Sequence, residues 1–352
     1  MEFQSKIASG GTVDFDEAAE TLVFENLRSE AARLLGAKED EIAVTSGATE
    51  GICNIAWSLV LSPGSNVVST DAEFPSVVYP WMRVAEKQSL DLRLARNREG
   101  VVSEHEIEKL VDDKTAVISI SHVEYGSGQR YDLRWLTDLA HSHGAILVLD
   151  ASQSAGIAPI DVHRESIDAL VATSYKGLLG PFGAGILYVN EELCNALKPS
   201  LAGWRSTDIP YDLDATRLQF ANAARKFEFG TMSYASALGL AESMKYIREL
   251  GYATVSERIL SLTQHFLSSL GANQSSFPSH SVLTSEEKQH HASIVSVRFK
   301  QLSSAELVKN LAERKVIVSQ RFNGVRFSFQ IYNTKEDIAK AIDGVRQAGV
   351  RT

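Results

Sequence analysis

The chain has few cysteines and no long apolar run. Only Cys53 and Cys194 occur among its 352 residues, and two distant cysteines provide neither a disulfide framework nor the paired spacing of a zinc site. No apolar stretch approaches the ~20 residues that span a bilayer. The first residues, MEFQSKIASGG, lack the apolar centre of a signal peptide. We therefore expect a cytoplasmic protein that contacts no membrane.

Positive charge is also scarce. The chain carries 35 Lys and Arg against 44 Asp and Glu, a net charge of −9. Non-specific binding to a phosphate backbone needs clustered positive charge, so no nucleic-acid partner is expected.

Short apolar runs alternate with helical patterns through most of the chain. Strands are predicted at 41–45, 66–70, 115–120, 145–150, 168–172 and 186–189, and helices at 16–36, 75–88, 103–111 and 132–143. This alternation predicts an α/β fold, a mostly parallel sheet with helices on both faces.

The pattern changes after about residue 232. Helices are predicted at 233–250, 254–270, 303–314 and 334–348, and strands at 292–299, 316–322 and 324–332. We therefore predict a large domain at 1–232 and a smaller C-terminal α+β domain at 233–352.

Two strand ends carry groups that suit a ligand. The turn in T-S-G-A-T-E-G-I, residues 45–52, starts a helix whose free N–H groups can bind phosphate, although Gly and Ser there would also serve as plain caps. Asp150 ends an apolar strand at the edge where doubly wound sheets bind ligands. Its carboxylate can pair with a ring N–H, and Gln153 is near enough to reach a ring substituent. Asp150 could instead cap the next segment or bind a metal, but no partner has suggestive spacing.

A third strand leads to Lys176 within T-S-Y-K-G. Lysine forms Schiff bases with carbonyl compounds, and partial desolvation helps it act as an amine, yet a lone lysine of this kind is more often structural. A phosphate turn, a carboxylate and an amine at one sheet edge are together what pyridoxal 5′-phosphate (PLP) requires. The alternation of strands and helices would also suit a nicotinamide-dependent dehydrogenase, but this chain lacks the Gly-x-Gly-x-x-Gly turn of such enzymes.

Seven segments carry a family resemblance: TSGATEGI, DAEFPS, HVEYGSGQRYDL, LVLDASQSAG, TSYKGLLGPFGAGILYV, KFEFGTMS and RFSFQIYNTKEDI. In this order they resemble the class V aminotransferase-like family of PLP fold type I, which includes cysteine desulfurases, C–S lyases and isopenicillin N epimerase-like proteins. The resemblance runs from about residue 20 to 345.

The resemblance implies a role for ten residues. Lys176 forms the internal aldimine and moves the Cα proton, Asp150 pairs with the pyridinium nitrogen, and Gln153 bonds the ring hydroxyl. Phe74 stacks over the cofactor, and its phosphate is held by Ala48, Thr49 and Thr173. Gly230 and Thr231 reach the partner subunit's phosphate site, and Arg326 binds the substrate carboxylate. A homodimer with shared active sites is implied, and the substrate is a small amino acid or amine.

The sequence departs from the family pattern in three places. Tyr175 replaces the His that commonly precedes the lysine, we expect the N-terminus to lack the segment that usually lines the site entrance, and no cysteine lies near Arg326. Transamination, epimerisation and C–S cleavage stay open, whereas a persulfide-forming cysteine desulfurase is not expected. The alternative is a non-catalytic dimeric protein that uses the fold for binding or sensing.

Overall fold

The computed structural model describes residues 2–13, 15–272, 277–300 and 302–349. Its strands are β1 (Ile42–Thr45), β2 (Asn66–Thr70), β3 (Asp91–Ala95), β4 (Thr115–Ser121), β5 (Ile146–Asp150), β6 (Ala169–Thr173), β7 (Gly185–Val189), β8 (His280–Val282), β9 (Ile294–Phe299), β10 (Ser319–Arg321) and β11 (Gly324–Ser328). Its α-helices are α1 (Glu2–Gly10), α2 (Glu17–Leu35), α3 (Ala48–Ser58), α4 (Pro75–Gln88), α5 (Glu104–Glu108), α6 (Leu133–Ser142), α7 (Glu191–Ala196), α8 (Tyr234–Leu250), α9 (Tyr252–Ala272), α10 (Ser304–Glu313) and α11 (Lys335–Gly349).

The larger sheet contains seven strands in the order β1-β7-β6-β5-β4-β2-β3. Among these strands, β7 alone runs in the direction opposite to the other six. Successive side chains of a strand point to opposite faces: Leu147 and Leu149 enter a core shared with α2 and α8, and Val148 enters a core shared with α3 and α4. The predicted sheet, covered by helices on both faces, is confirmed.

The smaller sheet is antiparallel, in the order β10-β11-β9-β8. Its core side chains, including Phe266, Leu311, Phe327 and Val345, come from the sheet and from α9, α10 and α11. The helices α9, α10 and α11 begin and end within about two residues of their predicted limits.

Some elements differ from the sequence prediction. β3 was missed because it is a short edge strand with Asp and Arg among its residues, and the three-residue β8 gave no recognisable pattern. The predicted strands 316–322 and 324–332 are shorter, at Ser319–Arg321 and Gly324–Ser328. Between them Phe322 and Asn323 form a two-residue turn with φ of 45° and 59°. Two positive φ values in succession are typical of tight hairpin turns.

The helix that follows residue 232 belongs to the larger core. Ala237, Leu240 and Met244 of α8 are buried with residues of α2. The domain boundary after residue 232 stays a prediction.

The loop after β4 packs closely against the smaller sheet. Gly128 has a φ of 77°, and a Cβ there would lie 2.5 Å from the carbonyl oxygen of Ile294 in β9. The Oγ of Thr284 also donates to the carbonyl of Ser127. This close approach places the small sheet against the carboxyl edge of the large one.

Within the described part of the chain, none of the helices combines the length and the apolar character needed to cross a membrane.

Candidate active site

Lys176 and Asp150 meet at the carboxyl edge of the larger sheet. Asp150 is the last residue of β5 and is buried, and Lys176 follows β6 and is partly buried. Burial lowers the pKa of Lys176. The charge of Asp150 opposes this effect, and the charge of Arg326 adds to it. Burial raises the pKa of Asp150, against a hydrogen bond of 2.7 Å from the backbone N–H of Ser152 and the charge of Lys176. A lysine with a lowered pKa is the more readily available as a free amine.

The start of α3 forms a cradle for an anion next to this pair. Gly47 precedes the helix and provides no side-chain cap, so the first N–H groups remain available, and the helix dipole favours a negative group there. A Cβ added to Gly47 would lie 3.8 Å from the Oγ1 of Thr173, and the Oγ1 of Thr49 donates to the Oγ of Ser76 at 2.7 Å. The structure thus brings the predicted phosphate residues of α3 and β6 together.

These groups match the chemistry of PLP. The cofactor presents a phosphate, a ring nitrogen and an aldehyde, and the edge of the sheet offers the helix N-terminus at Ala48, the buried carboxylate of Asp150 and the amine of Lys176. Gln153 lies partly exposed in the turn after β5. The residues that could hold the cofactor are therefore present, although their individual roles stay predictions.

Aromatic rings form the side of the site that faces the smaller sheet. The Nζ of Lys176 lies 5.6 Å from the ring centroid of Phe74. Phe74 packs edge-on against Tyr125, with centroids 5.3 Å apart, and Tyr125 packs against Phe322 at 5.9 Å. The ring of Phe74 is near the amine, and the predicted stacking over the cofactor stays a prediction.

Arg326, on β11, lies close enough to Lys176 for its charge to act on the amine. Its Nη1 donates to the carbonyl oxygen of Tyr125 at 2.7 Å. Burial, together with the charge of Arg321, lowers the pKa of Arg326 to about 10, so the guanidinium keeps its charge at neutral pH. A cationic fork close to Lys176 is suited to a carboxylate.

Arg205 is held by other residues of the chain. It is 6% exposed, donates to Glu20 at 2.9 Å and lies 4.4 Å above the ring of Phe24. Tyr175, which replaces the His that commonly precedes the lysine, stacks on Phe182 with centroids 4.2 Å apart.

Gly230 and Thr231 lie in the loop before α8, where Thr231 is exposed. Among the described residues, no hydrogen bond or ion pair joins them to Lys176, Asp150 or Arg326. Their predicted role concerns the partner subunit and stays a prediction.

Sequence reasoning missed two buried carboxyl groups. Glu73 accepts hydrogen bonds from the backbone N–H and the Oγ of Ser121, and Ser121 lies opposite Asp150 in the sheet. Glu124 accepts from Thr70 at 3.2 Å and Tyr131 at 3.3 Å. Burial raises the pKa of Glu73, and it raises that of Glu124 to about 8.

His122 was also missed. Its backbone N–H donates to the carbonyl of Asp150 at 2.9 Å, and its buried Nδ1 has no partner among the described residues. Burial lowers the pKa of His122 to about 3, so the ring is neutral. The only signal in the sequence was position, because His122 follows a buried strand directly, as Asp150 ends one. It is a further candidate for contact with the cofactor.

Comparison with known proteins agrees with this site. The sequence model of the family described as aminotransferase class-V matches residues 4–340. The chain is 29% identical to the uncharacterized aminotransferase YcbU of Bacillus subtilis (strain 168), over 98% of this chain and 88% of that protein. It is 28% identical to a probable cysteine desulfurase of Pyrococcus abyssi (strain GE5 / Orsay), over 90% of this chain and 81% of that protein. The solved structure of the cystine C–S lyase C-DES has the same fold, with a TM-score of 0.88 and 20% identity over 98% of this chain and 92% of that one.

Proposed function

We propose that this chain, which belongs to the class V aminotransferase family, binds a small α-amino acid and removes its Cα proton with Lys176. The chain is a PLP-dependent enzyme of that family. The observation that carries the proposal is the meeting of a partly buried lysine with lowered pKa and a buried aspartate at one sheet edge.

Each residue has a physical reason for its proposed part. When bound, PLP supplies an aldehyde that joins amines and a ring that accepts electrons from Cα. Lys176 anchors the cofactor and later carries the proton to or from Cα, because burial favours its neutral amine. Asp150 holds a proton on the ring nitrogen, and Arg326 binds the α-carboxylate. The N–H groups at the start of α3 hold the phosphate.

Proton exchange at Cα tests this proposal before the net reaction is known. In D₂O, the holoenzyme should exchange the Cα proton of its amino-acid substrate, which NMR detects over a panel of amino acids. Lys176→Ala should abolish the exchange, whereas Lys198→Ala, at an exposed lysine, should not. Borohydride should also fix a pyridoxyl label on Lys176. A panel with no exchange would favour the alternative, a non-catalytic binding protein.

We further propose that the enzyme forms no persulfide. A persulfide-forming mechanism needs a thiolate near the substrate sulfur, and the stretch before Arg326 is a tight β10–β11 hairpin without cysteine. Cys53 lies in α3 and Cys194 is buried in α7, and burial raises the pKa of both thiols. Both thiols are therefore poor nucleophiles.

The relatives named as probable cysteine desulfurases make this proposal worth a direct test. After incubation with L-cysteine, mass spectrometry should find no persulfide on Cys53 or Cys194. Replacement of either by serine should leave turnover unchanged, since elimination by Lys176 needs no thiol. A persulfide whose loss abolishes turnover would refute the proposal.

A homodimer with shared sites is our third proposal. Tyr175 and Phe182 form an exposed stacked pair, 45% and 75% exposed, next to Lys176. Exposed aromatic groups of this kind are typical of interfaces. Gly230 and Thr231 would reach the phosphate site of the second subunit.

Mixed dimers separate this arrangement from a self-contained site. A Cβ at Gly230 meets nothing within 4 Å in the single chain, so Gly230→Glu should fold and should place a negative charge against the partner's phosphate. Refolding Gly230→Glu with Lys176→Ala should restore about a quarter of wild-type activity, because half of the dimers then hold one intact site. A monomer in light scattering, or no restored activity, would contradict the proposal.

A further inference from the structure

Two arginines lie side by side on the hairpin that faces the site. In the β10–β11 pairing Arg321 lies opposite Gly324, and Arg326 is two residues further along β11. Side chains two positions apart on a strand share a face, so Arg321 and Arg326 are diagonal neighbours on one face. Both contact Tyr125: Arg326 bonds its carbonyl at 2.7 Å, and the Cζ of Arg321 lies 5.8 Å from its ring centroid.

Neither guanidinium forms an ion pair with a described residue of the chain. No carboxylate of the described residues lies within 4 Å of Arg321 or Arg326, whereas Arg298 on the adjacent β9 pairs with Glu99 at 2.6 Å. The Nη1 of Arg321 donates to the carbonyl of Gln320, its own neighbour, at 2.6 Å. The charge of Arg321 also lowers the pKa of Arg326, which shows that the two cations repel each other.

One α-carboxylate supplies a single negative charge to this pair. When Arg326 binds it, the charge of Arg321 stays uncompensated beside the row of aromatic rings formed by Phe74, Tyr125 and Phe322. Partly desolvated charges without partners are unfavourable. A ligand with two negative charges would neutralise both arginines and pack its carbon chain against the rings.

We propose that the substrate is an α-amino acid whose short side chain ends in an anionic group, and that Arg321 binds that group while Arg326 binds the α-carboxylate. This inference rests on the proposed function, since it assumes that an amino acid joins the cofactor at Lys176. A carboxylate, a sulfinate or a phosphate would meet the same requirement. Arg321 is a specificity-determining residue in this scheme.

Isosteric pairs of amino acids test the inference. The dissociation constants of aspartate and asparagine, and of glutamate and glutamine, are measured from the change they cause in the visible spectrum of the holoenzyme. Cysteine sulfinate and O-phosphoserine, each compared with serine, distinguish the kinds of anion. A charged hydrogen bond is worth about 1.5–3 kcal/mol, so at least one acidic member should bind roughly ten- to a hundredfold more tightly than its neutral partner.

Two variants assign that preference to a residue. Arg321→Gln should remove the preference for the acidic member, whereas Arg326→Gln should weaken both members of a pair. Arg134→Gln, in an exposed ion pair on α6, is the matched control and should change neither.

The possible failures are distinct. If neutral and acidic members bind equally well to the wild type, or if Arg321→Gln weakens both equally, the inference is wrong while the proposed function stands. If no amino acid changes the spectrum of the holoenzyme, the proposed function fails and this inference fails with it.

Discussion

Glu124 should make the stability of the protein fall as the pH rises. Its carboxyl group is fully buried and accepts hydrogen bonds only from Thr70 and Tyr131 among the described residues. Burial, with the charges of Asp150 and Asp71, raises its pKa to about 8 in the folded chain. A free glutamate has a pKa of about 4.3. Between these two values, the folded state therefore holds a proton that the unfolded state has released.

The sign and size of the effect follow from proton linkage. An acid whose pKa is higher in the folded than in the unfolded state contributes stability that is fully present below the unfolded pKa. That stability is lost as the pH rises through the folded pKa. The loss is about 1.4 kcal/mol per pH unit. From pH 5.5 to pH 7.5 it amounts to about 3 kcal/mol, which corresponds to roughly 3–4 °C in Tm for a chain of this length.

Glu124→Gln isolates this contribution. The amide resembles the protonated acid in shape and still accepts from Thr70 and Tyr131, but it has no proton to lose. Calorimetry on the holoenzyme should therefore show that the Tm of the variant, relative to that of wild type, rises by roughly 3–4 °C between pH 5.5 and pH 7.5. Glu25→Gln, at an exposed position of α2, is the control and should show a constant difference. A constant difference for Glu124→Gln as well would mean that the buried group is ionised when folded, and the reasoning would be refuted.

Three further predictions concern the site. Asp150→Asn should keep the cofactor bound but greatly lower kcat, because an amide cannot hold the proton on the ring nitrogen; an unchanged kcat would assign Asp150 another role. Arg326→Ala should raise KM for α-amino carboxylates by roughly ten- to a hundredfold and leave the binding of simple amines unchanged, as spectral titration can check. Gly126→Ala should raise KM and lower Tm, because a Cβ there would overlap the ring of Phe322, whereas Gly10→Ala, with open space around it, should change neither.

The larger sheet and its strand-end chemistry could be predicted from the sequence because both are local. Apolar runs such as I-L-V-L-D fix a buried strand and its final residue together, so Asp150 had to lie at the carboxyl edge of the sheet. The same holds for Lys176, three residues beyond β6. The edge strand β3 escaped prediction because one side of it faces solvent and its charged residues hide the pattern.

Only the tertiary structure decided which distant residues complete the site. No local pattern in the sequence marks Glu73 and Glu124 as buried, and only the packing of β2, β4 and β5 buries them near Asp150. Arg321 and Arg326 become neighbours because Phe322 and Asn323 close a two-residue turn. Arg326 comes close to Lys176 because the loop at Gly128 holds the small sheet against the large one. The sequence by itself determined the strand-end amine and carboxylate, since each depends on one apolar run. The uncompensated pair of arginines depends on the register between strands and the docking of two sheets, which no local pattern encodes.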